Sequence, residues 1–326
     1  MTSCAIVGAG AIGGLLGGYL ARSGQQVTLI ARGPHLAAMR EHGLRVLTSD
    51  GGEFLTHPAC TDDLAAIREA DVVFLTLKAH TLIDMAPAIG PLLAPQAAVV
   101  SAVNGIPWWY FEGRGDELDG RHLQTVDPGG SVAKAIGKER GVGCVVYPAA
   151  ELVAPGVVRH VEGNRFSLGE IDGPISDRCR TIAAALNQSG LKAPIRSNLR
   201  DELWVKLVGN AVFNPMSALT RAELDVMCTH PATRPVIYAA MQEVASVAKA
   251  LDLDLPIGVD QRLAAAEKIP HHKTSMLQDI EAGRRLEVDP ICGAVVEIAD
   301  LVNVPVPHLR TIYGAAKLLD QTLHPG

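Results

Sequence analysis

The sequence predicts an α/β domain followed by an all-helical domain, and three observations carry that expectation. From Cys4 to about Ile195, apolar strands alternate with helical segments. The first strand runs directly into Gly8-Ala9-Gly10-Ala11-Ile12-Gly13, a Gly-x-Gly-x-x-Gly turn. Beyond Ser197-Asn198 strand signals almost vanish, and amphipathic helices with short Pro- or Gly-bearing connections take over. The expected domains are therefore 1–197 and 198–326.

The glycine turn defines the first domain as Rossmann-type. Gly8 turns the chain off the strand Ala5-Ile6-Val7, and Gly10 leaves bare backbone against which a pyrophosphate can lie. Gly13 lets the helix Leu15 to Ser23 pack closely, while that helix start offers N–H groups and positive dipole to phosphate. A second strand, Gln26 to Ile30, arrives at βαβ distance. It ends in Ala31-Arg32-Gly33 with no acid before Glu41. A carboxylate there would select NAD, whereas an arginine suits a 2′-phosphate. The expected cofactor is NADP(H), against the plainer reading of Arg32 as a solvated surface side chain.

The remaining elements follow in order. Pro34 to His42 reads as a helix, and Asp50-Gly51-Gly52 between Leu44-Arg45-Val46-Leu47 and Glu53-Phe54-Leu55 signals a hairpin. Asp62 is placed to cap a helix over Asp63 to Glu69. Asp71 to Leu77 is an apolar run of the buried parallel kind, delivering Lys78. A helix over Leu82 to Leu93 leads to Ala97 to Ser101, which delivers Asn104-Gly105. Gly8, Arg32, Lys78 and Asn104 thus share the carboxyl rim of the strands, where ligands bind in such sheets. Segments at Val145 to Tyr147, Gly156 to His160 and Arg165 to Leu168 are expected to extend the same sheet in antiparallel fashion. A helix over Ile175 to Ser189 and a short Ala193-Pro194-Ile195 segment close the domain.

Composition bounds the function classes. A length of 326 residues exceeds what one core normally organises. Hydrophobic content is 48%, which excludes a disordered chain, and a net charge of -6 argues against a nucleic-acid partner. The six cysteines are scattered without a Cys-x-x-Cys pair, which fits reduced thiols in a cytoplasmic protein and no metal site. The apolar N-terminus lacks a basic lead-in, so it is not read as a signal peptide, and no uncharged run reaches membrane-spanning length.

The second domain carries the candidate chemistry. Asp201 to Asn214 reads as a helix, with Asn198 as a possible cap and Pro215 expected to end or kink it. Lys206, Asn210 and Asn214 fall at i, i+4 and i+8 and share one face. A water-facing polar stripe is the plain alternative. As a site, the row could grip a small polar substrate while Lys206 protonates a developing alkoxide. His271-His272-Lys273-Thr274-Ser275-Met276-Leu277-Gln278-Asp279 opens another helix, with Ser275 and Gln278 at capping-box spacing and its start suited to a carboxylate. Glu287 alone would be read as a solvated helix acid, and His271 and His272 as surface or hinge residues.

Together these residues resemble the ketopantoate reductase (2-dehydropantoate 2-reductase) family over nearly the whole chain. The resemblance rests on the glycine turn, Arg32, Leu77-Lys78, Asn104-Gly105, Glu202-Leu203-Trp204-Val205-Lys206-Leu207 with Asn210 and Asn214-Pro215, and Thr274 to Asp279 with Arg285-Leu286-Glu287-Val288-Asp289. It implies NADPH-dependent reduction of ketopantoate or a related 2-keto acid, of the pantothenate-biosynthesis type. Lys206 would be the proton donor, with Asn104, Asn210, Asn214 and Ser275, Met276, Leu277 and Gln278 on the substrate. Gly8, Ala9, Gly10, Ala11, Ile12, Gly13, Arg32, Lys78, Asn104 and Ala149 would hold the cofactor, and Glu287 would order its ribose and the active site. The family fold is a Rossmann domain followed by a helical domain, with the site in the cleft between them. Two departures stand out. Leu224 occupies the position of a family substrate-site Asn, and Trp108 and Trp109 follow Asn104-Gly105, either lining a substrate pocket or packing the domain interface. Both predict a shift toward 2-keto acids with a more apolar side chain. An opine or hydroxy-acid dehydrogenase, and a non-catalytic NADP sensor, are the rival readings. The oligomeric state stays open, a homodimer among the options.

Overall fold

A computed structural model describes residues 2–325. The chain divides into two compact units: one comprises the residues up to Val103, Trp108–His122 and Gly129–Leu199, the other Asn104–Pro107, Leu123–Pro128 and everything from Arg200 onward. Two short excursions of the N-terminal half therefore belong with the C-terminal unit.

The first unit holds two sheets. Its strands are β1 (Ser3–Val7), β2 (Gln26–Ile30), β3 (Leu44–Leu47), β4 (Glu53–Thr56), β5 (Ala59–Thr61), β6 (Val72–Leu75), β7 (Ala98–Ser101), β8 (Gly141–Val146), β9 (Ala149–Ala154), β10 (Val157–Glu162) and β11 (Phe166–Glu170). The larger sheet has the order β5-β2-β1-β6-β7-β8-β11, parallel except for β11, which runs antiparallel to β8. Strand order reverses between β1 and β6, the switch point at which doubly wound sheets open a crevice. The apolar runs of β6 and β7 are buried at every position, as central parallel strands require.

The expected single antiparallel extension is corrected here. β8 joins the large sheet in parallel, while β10 leaves it for a second sheet of order β4-β3-β10-β9. In that sheet β3 and β4 form the hairpin expected at Asp50-Gly51-Gly52, and β10 lies parallel to β3. The helix Ala11–Arg22 lies between the two sheets, and its glycines make that possible. A Cβ on Gly17 would strike Leu29 and Ile6 of the large sheet, and one on Gly14 or Gly18 would strike Val158 or Val46 of the small one. Close packing on both faces leaves no room for even a methyl group.

In the second unit, the helix Leu199–Thr220 is buried nearly all round, with Leu203, Trp204, Leu207, Val208, Ala211, Val212, Phe213 and Met216 in the core. It continues past Pro215 and does not end there. Proline removes one backbone hydrogen bond, but burial of Met216 and Ala218 beyond it outweighs that loss. Asp63, not Asp62, caps a 3-10 turn over Leu64–Glu69, its carboxylate accepting from the Ala65 N–H at 2.9 Å.

Candidate functional sites in each unit

In the first unit the glycine turn is pinned from two sides. Gly8 and Ala9 donate to the Ile30 carbonyl at 3.1 and 3.0 Å, and the Thr76 hydroxyl donates to the Gly8 carbonyl at 2.9 Å. Gly8 has φ +99°, and a side chain there would meet Leu77 at 2.8 Å. A Cβ on Gly13 would overlap the Gly8 carbonyl and the Thr76 hydroxyl, whereas one on Gly10 would meet nothing nearer than 4.0 Å. Gly10 therefore leaves an open cradle at a helix start, the shape and polarity a pyrophosphate needs.

Arg32 caps the helix Gly33–His42 through its backbone only, stands exposed just past β2, and makes no side-chain hydrogen bond or ion pair among the described residues. An uncommitted guanidinium without a neighbouring carboxylate fits a phosphate. Close by in sequence, His35 accepts from the Gly156 N–H at 2.9 Å through Nδ1. Burial holds its imidazole below the ordinary histidine range, against a smaller upward pull from the Ala9 backbone. Lys78 sits at the start of the helix Ala79–Ile89, after β6. Ala149 opens β9 and so belongs to the small sheet, not to the rim of the large one.

In the second unit the polar row on the central helix is not a water-facing stripe. Lys206 and Asn210 are half-buried and Asn214 is 4% exposed. Lys206 Nζ donates to Asn104 Oδ1 at 3.2 Å, and Asn214 Nδ2 donates to Ser275 Oγ at 3.3 Å. Asn210 lies between these tied ends, its amide making no hydrogen bond among the described residues. A second polar hold acts on the helix backbone, since Arg262 Nη2 donates to the Lys206 carbonyl at 3.2 Å. A cation, three amides and a hydroxyl thus come together from three separated stretches of chain.

The helix start differs from its expected form. Thr274, not Ser275, is the cap of Ser275–Glu281, its hydroxyl accepting from the Leu277 N–H at 3.2 Å. Ser275 is thereby left exposed and turned to Asn214. Met276 and Leu277 are each 1% exposed, so their side chains belong to the core and only their main chain could meet a ligand. Gln278 Nε2 donates to the Lys273 carbonyl at 3.3 Å. Glu287 is half-buried in a stretch without regular secondary structure, not on a helix, between buried Leu286 and Val288.

The tryptophans of the aromatic segment after Asn104 are buried. Trp108 and Trp109 are 4% and 1% exposed, and the Trp109 ring fills the space beside Gly143 of β8. Leu224 is 6% exposed and its N–H donates to the His272 carbonyl at 2.9 Å, tying it to the segment that leads to Ser275. No disulfide forms among the described residues, and burial pushes the Cys4 and Cys179 thiols up to about 12 and about 11. Among the described residues no cluster of histidine, cysteine or carboxylate side chains could hold a metal, and no helix is long and apolar enough to cross a membrane.

A doubly wound sheet with a glycine turn at its switch point, followed by a helical unit that aligns a lysine with two amides, defines a dinucleotide-binding class of two-unit protein. Known proteins then place it within that class. Residues 4–173 match the family model for ketopantoate reductase PanE/ApbA, and residues 198–320 match that for its C-terminal part. A 2-dehydropantoate 2-reductase of Mesorhizobium japonicum is 44% identical over 315 residues, covering 96% of both chains. The structure of a candidate ketopantoate reductase from Ralstonia solanacearum superposes with a TM-score of 0.93 at 39% identity, covering 99% of each chain. D-Mandelate dehydrogenase, solved with NADH and anilino(oxo)acetate, shares the fold at 23% identity and a TM-score of 0.82. The chain belongs to the ketopantoate reductase family.

Proposed function

We propose that the protein is an oxidoreductase that reduces ketopantoate, or a close 2-keto acid, to the 2-hydroxy acid with NADPH. The observation that carries this reading is the row of Lys206, Asn210 and Asn214, tied at one end to Asn104 and at the other to Ser275. Bound NADPH would supply hydride. The residues that fit it are the Gly8 to Gly13 turn and the uncommitted Arg32, which favours the phosphorylated cofactor. Asn104 holds the Lys206 ammonium by accepting its hydrogen bond at the amide oxygen, so the proton it gives to a nascent alkoxide sits at a defined position. Asn210 and Ser275 can accept and donate to the substrate's hydroxyl and carboxylate, and the main chain at the start of the Ser275–Glu281 helix adds N–H donors.

Purified protein assayed against a panel of 2-keto acids with NADPH and with NADH tests the reading. The expected result is turnover of ketopantoate with NADPH preferred. Tight NADPH binding with no keto acid reduced would favour a sensor, and a strong preference for another keto acid would favour a hydroxy-acid or opine dehydrogenase. The panel also decides the role of Leu224, because a leucine leaves a polar substrate tail one partner short. With both tryptophans spent on packing in the first unit, Leu224 is the remaining departure that could widen the range.

A further inference from the structure

One partner of Lys206, Asn104, reaches it from outside the helical sequence, and the structure shows what holds Asn104 in place. The stretch Asp289–Gly293 is a π-helical turn, in which the Ala294 N–H reaches back five residues to the Asp289 carbonyl. Such a turn dislocates the regular backbone ladder and turns a carbonyl to other uses. Here the Pro290 carbonyl accepts from the Ile106 N–H at 2.7 Å. Gly105, with φ +82°, lies flat against the same carbonyl group, where a Cβ would come within 2.6 Å of the Pro290 carbon and 2.9 Å of the Ile291 nitrogen. Two turns further on, Glu297 accepts from the N–H groups of Gln124 and Thr125 at 2.7 and 2.9 Å and from the Thr125 hydroxyl at 2.7 Å. Both excursions of the N-terminal half are thus moored on one short stretch of the helical unit. The turn is itself braced, since Asp289 accepts from the Tyr313 hydroxyl at 2.9 Å and from Lys317, and Gly293 leaves room for the Tyr313 ring.

We propose that the π-turn Asp289–Gly293 is the positioning element of the site, with Gly105 and Tyr313 as positioning residues that set Asn104 against Lys206. The inference rests on the reading of Lys206 as proton donor. It adds that donor geometry is set through Asn104, by the contacts that hold the Asn104 loop on the π-turn.

A double-mutant cycle tests it. Gly105→Ala should lower kcat by about 10–100-fold, the size expected when a reacting group is displaced by around an ångström. Asn104→Ala should lower it comparably, and the double variant should be no worse than Asn104→Ala alone, because the glycine acts through the amide. Tyr313→Phe, a milder change, should lower kcat less and lose its effect in the same background. Multiplying losses in both double variants would overturn the proposal. A readout independent of turnover separates this from the function itself: the Lys206 ammonium resonance, followed by NMR in lysine-labelled protein, should move alike in Asn104→Ala and Gly105→Ala. A Gly105→Ala protein with that resonance unmoved refutes the positioning role. Absence of any keto-acid turnover, with both variants shifting the resonance, would instead refute the assigned reaction and leave the mooring intact.

Discussion

At the turn after β1 the chain works by leaving side chains out, whereas on the Leu199–Thr220 helix it works by lining them up. The turn's features are N–H groups donating to the Ile30 carbonyl, a Gly8 carbonyl accepting from the Thr76 hydroxyl, a positive φ at Gly8 and an open cradle at Gly10. The helix's features are a cation, two amides and, from elsewhere, a hydroxyl and a third amide. One site is therefore damaged by adding atoms and the other by removing them. The difference also decides what a sequence reveals. A backbone site needs a contiguous pattern, while a side-chain site needs partners that folding brings from far along the chain.

The largest effect should come from the helix. Lys206→Ala should reduce kcat by roughly 10²–10⁴-fold, the usual worth of a general acid. Because Lys206 is half-buried and its truncation leaves Asn104 without that donor, some loss of order at Asn104 is included in the figure. NADPH affinity should change little, which titration of cofactor fluorescence would measure. Near-normal turnover would assign the proton to another group and dissolve the contrast drawn above.

Arg32 is the one side chain on which the first site is proposed to depend, so its truncation sharpens the comparison. Arg32→Ala should weaken NADPH binding by about 1.5–3 kcal/mol, the value of a hydrogen bond to a charged group, and leave NADH binding almost untouched. The exposed guanidinium makes no ion pair among the described residues, so stability should not fall with it. Equal affinity of the unaltered protein for the two cofactors would remove the argument.

Much of the fold was legible because its causes are local. The glycine turn, the Asp50-Gly51-Gly52 hairpin and the buried strands β6 and β7 each follow from a few adjacent residues. The second sheet was not, because the alternation in β10 says that one face is buried and nothing about whether β3 or β8 is its neighbour. Continuation of the central helix through Pro215 was hidden for the same reason, since burial of Met216 and Ala218 is a tertiary fact. In the candidate site, Lys206, Asn210 and Asn214 announce themselves by spacing. Their partners do not: Asn104 follows β7, and the Pro290 carbonyl that steadies its loop is freed only by a π-turn. Ser275 gave a capping-box signal that in the fold belongs to Thr274, one residue earlier. A threonine directly before the serine was the available clue.

The smallest predicted effect tests the backbone site by adding one methyl group at each of two glycines. Gly13→Ala places a Cβ on the Gly8 carbonyl and 2.5 Å from the Thr76 hydroxyl, so the helix must move off the turn. Overpacking of that kind should cost about 1–3 kcal/mol of stability, visible in denaturant unfolding without any ligand. At Gly10 the same methyl group meets only open space, with φ −77°, so the unliganded fold should keep its stability to within about 0.5 kcal/mol. Its effect should appear on adding NADPH, because the methyl group stands where phosphate would approach bare backbone. The pair thus separates glycine required by the fold from glycine required by the ligand. If Gly10→Ala binds NADPH as tightly as the unaltered protein, the cradle is not where the pyrophosphate lies.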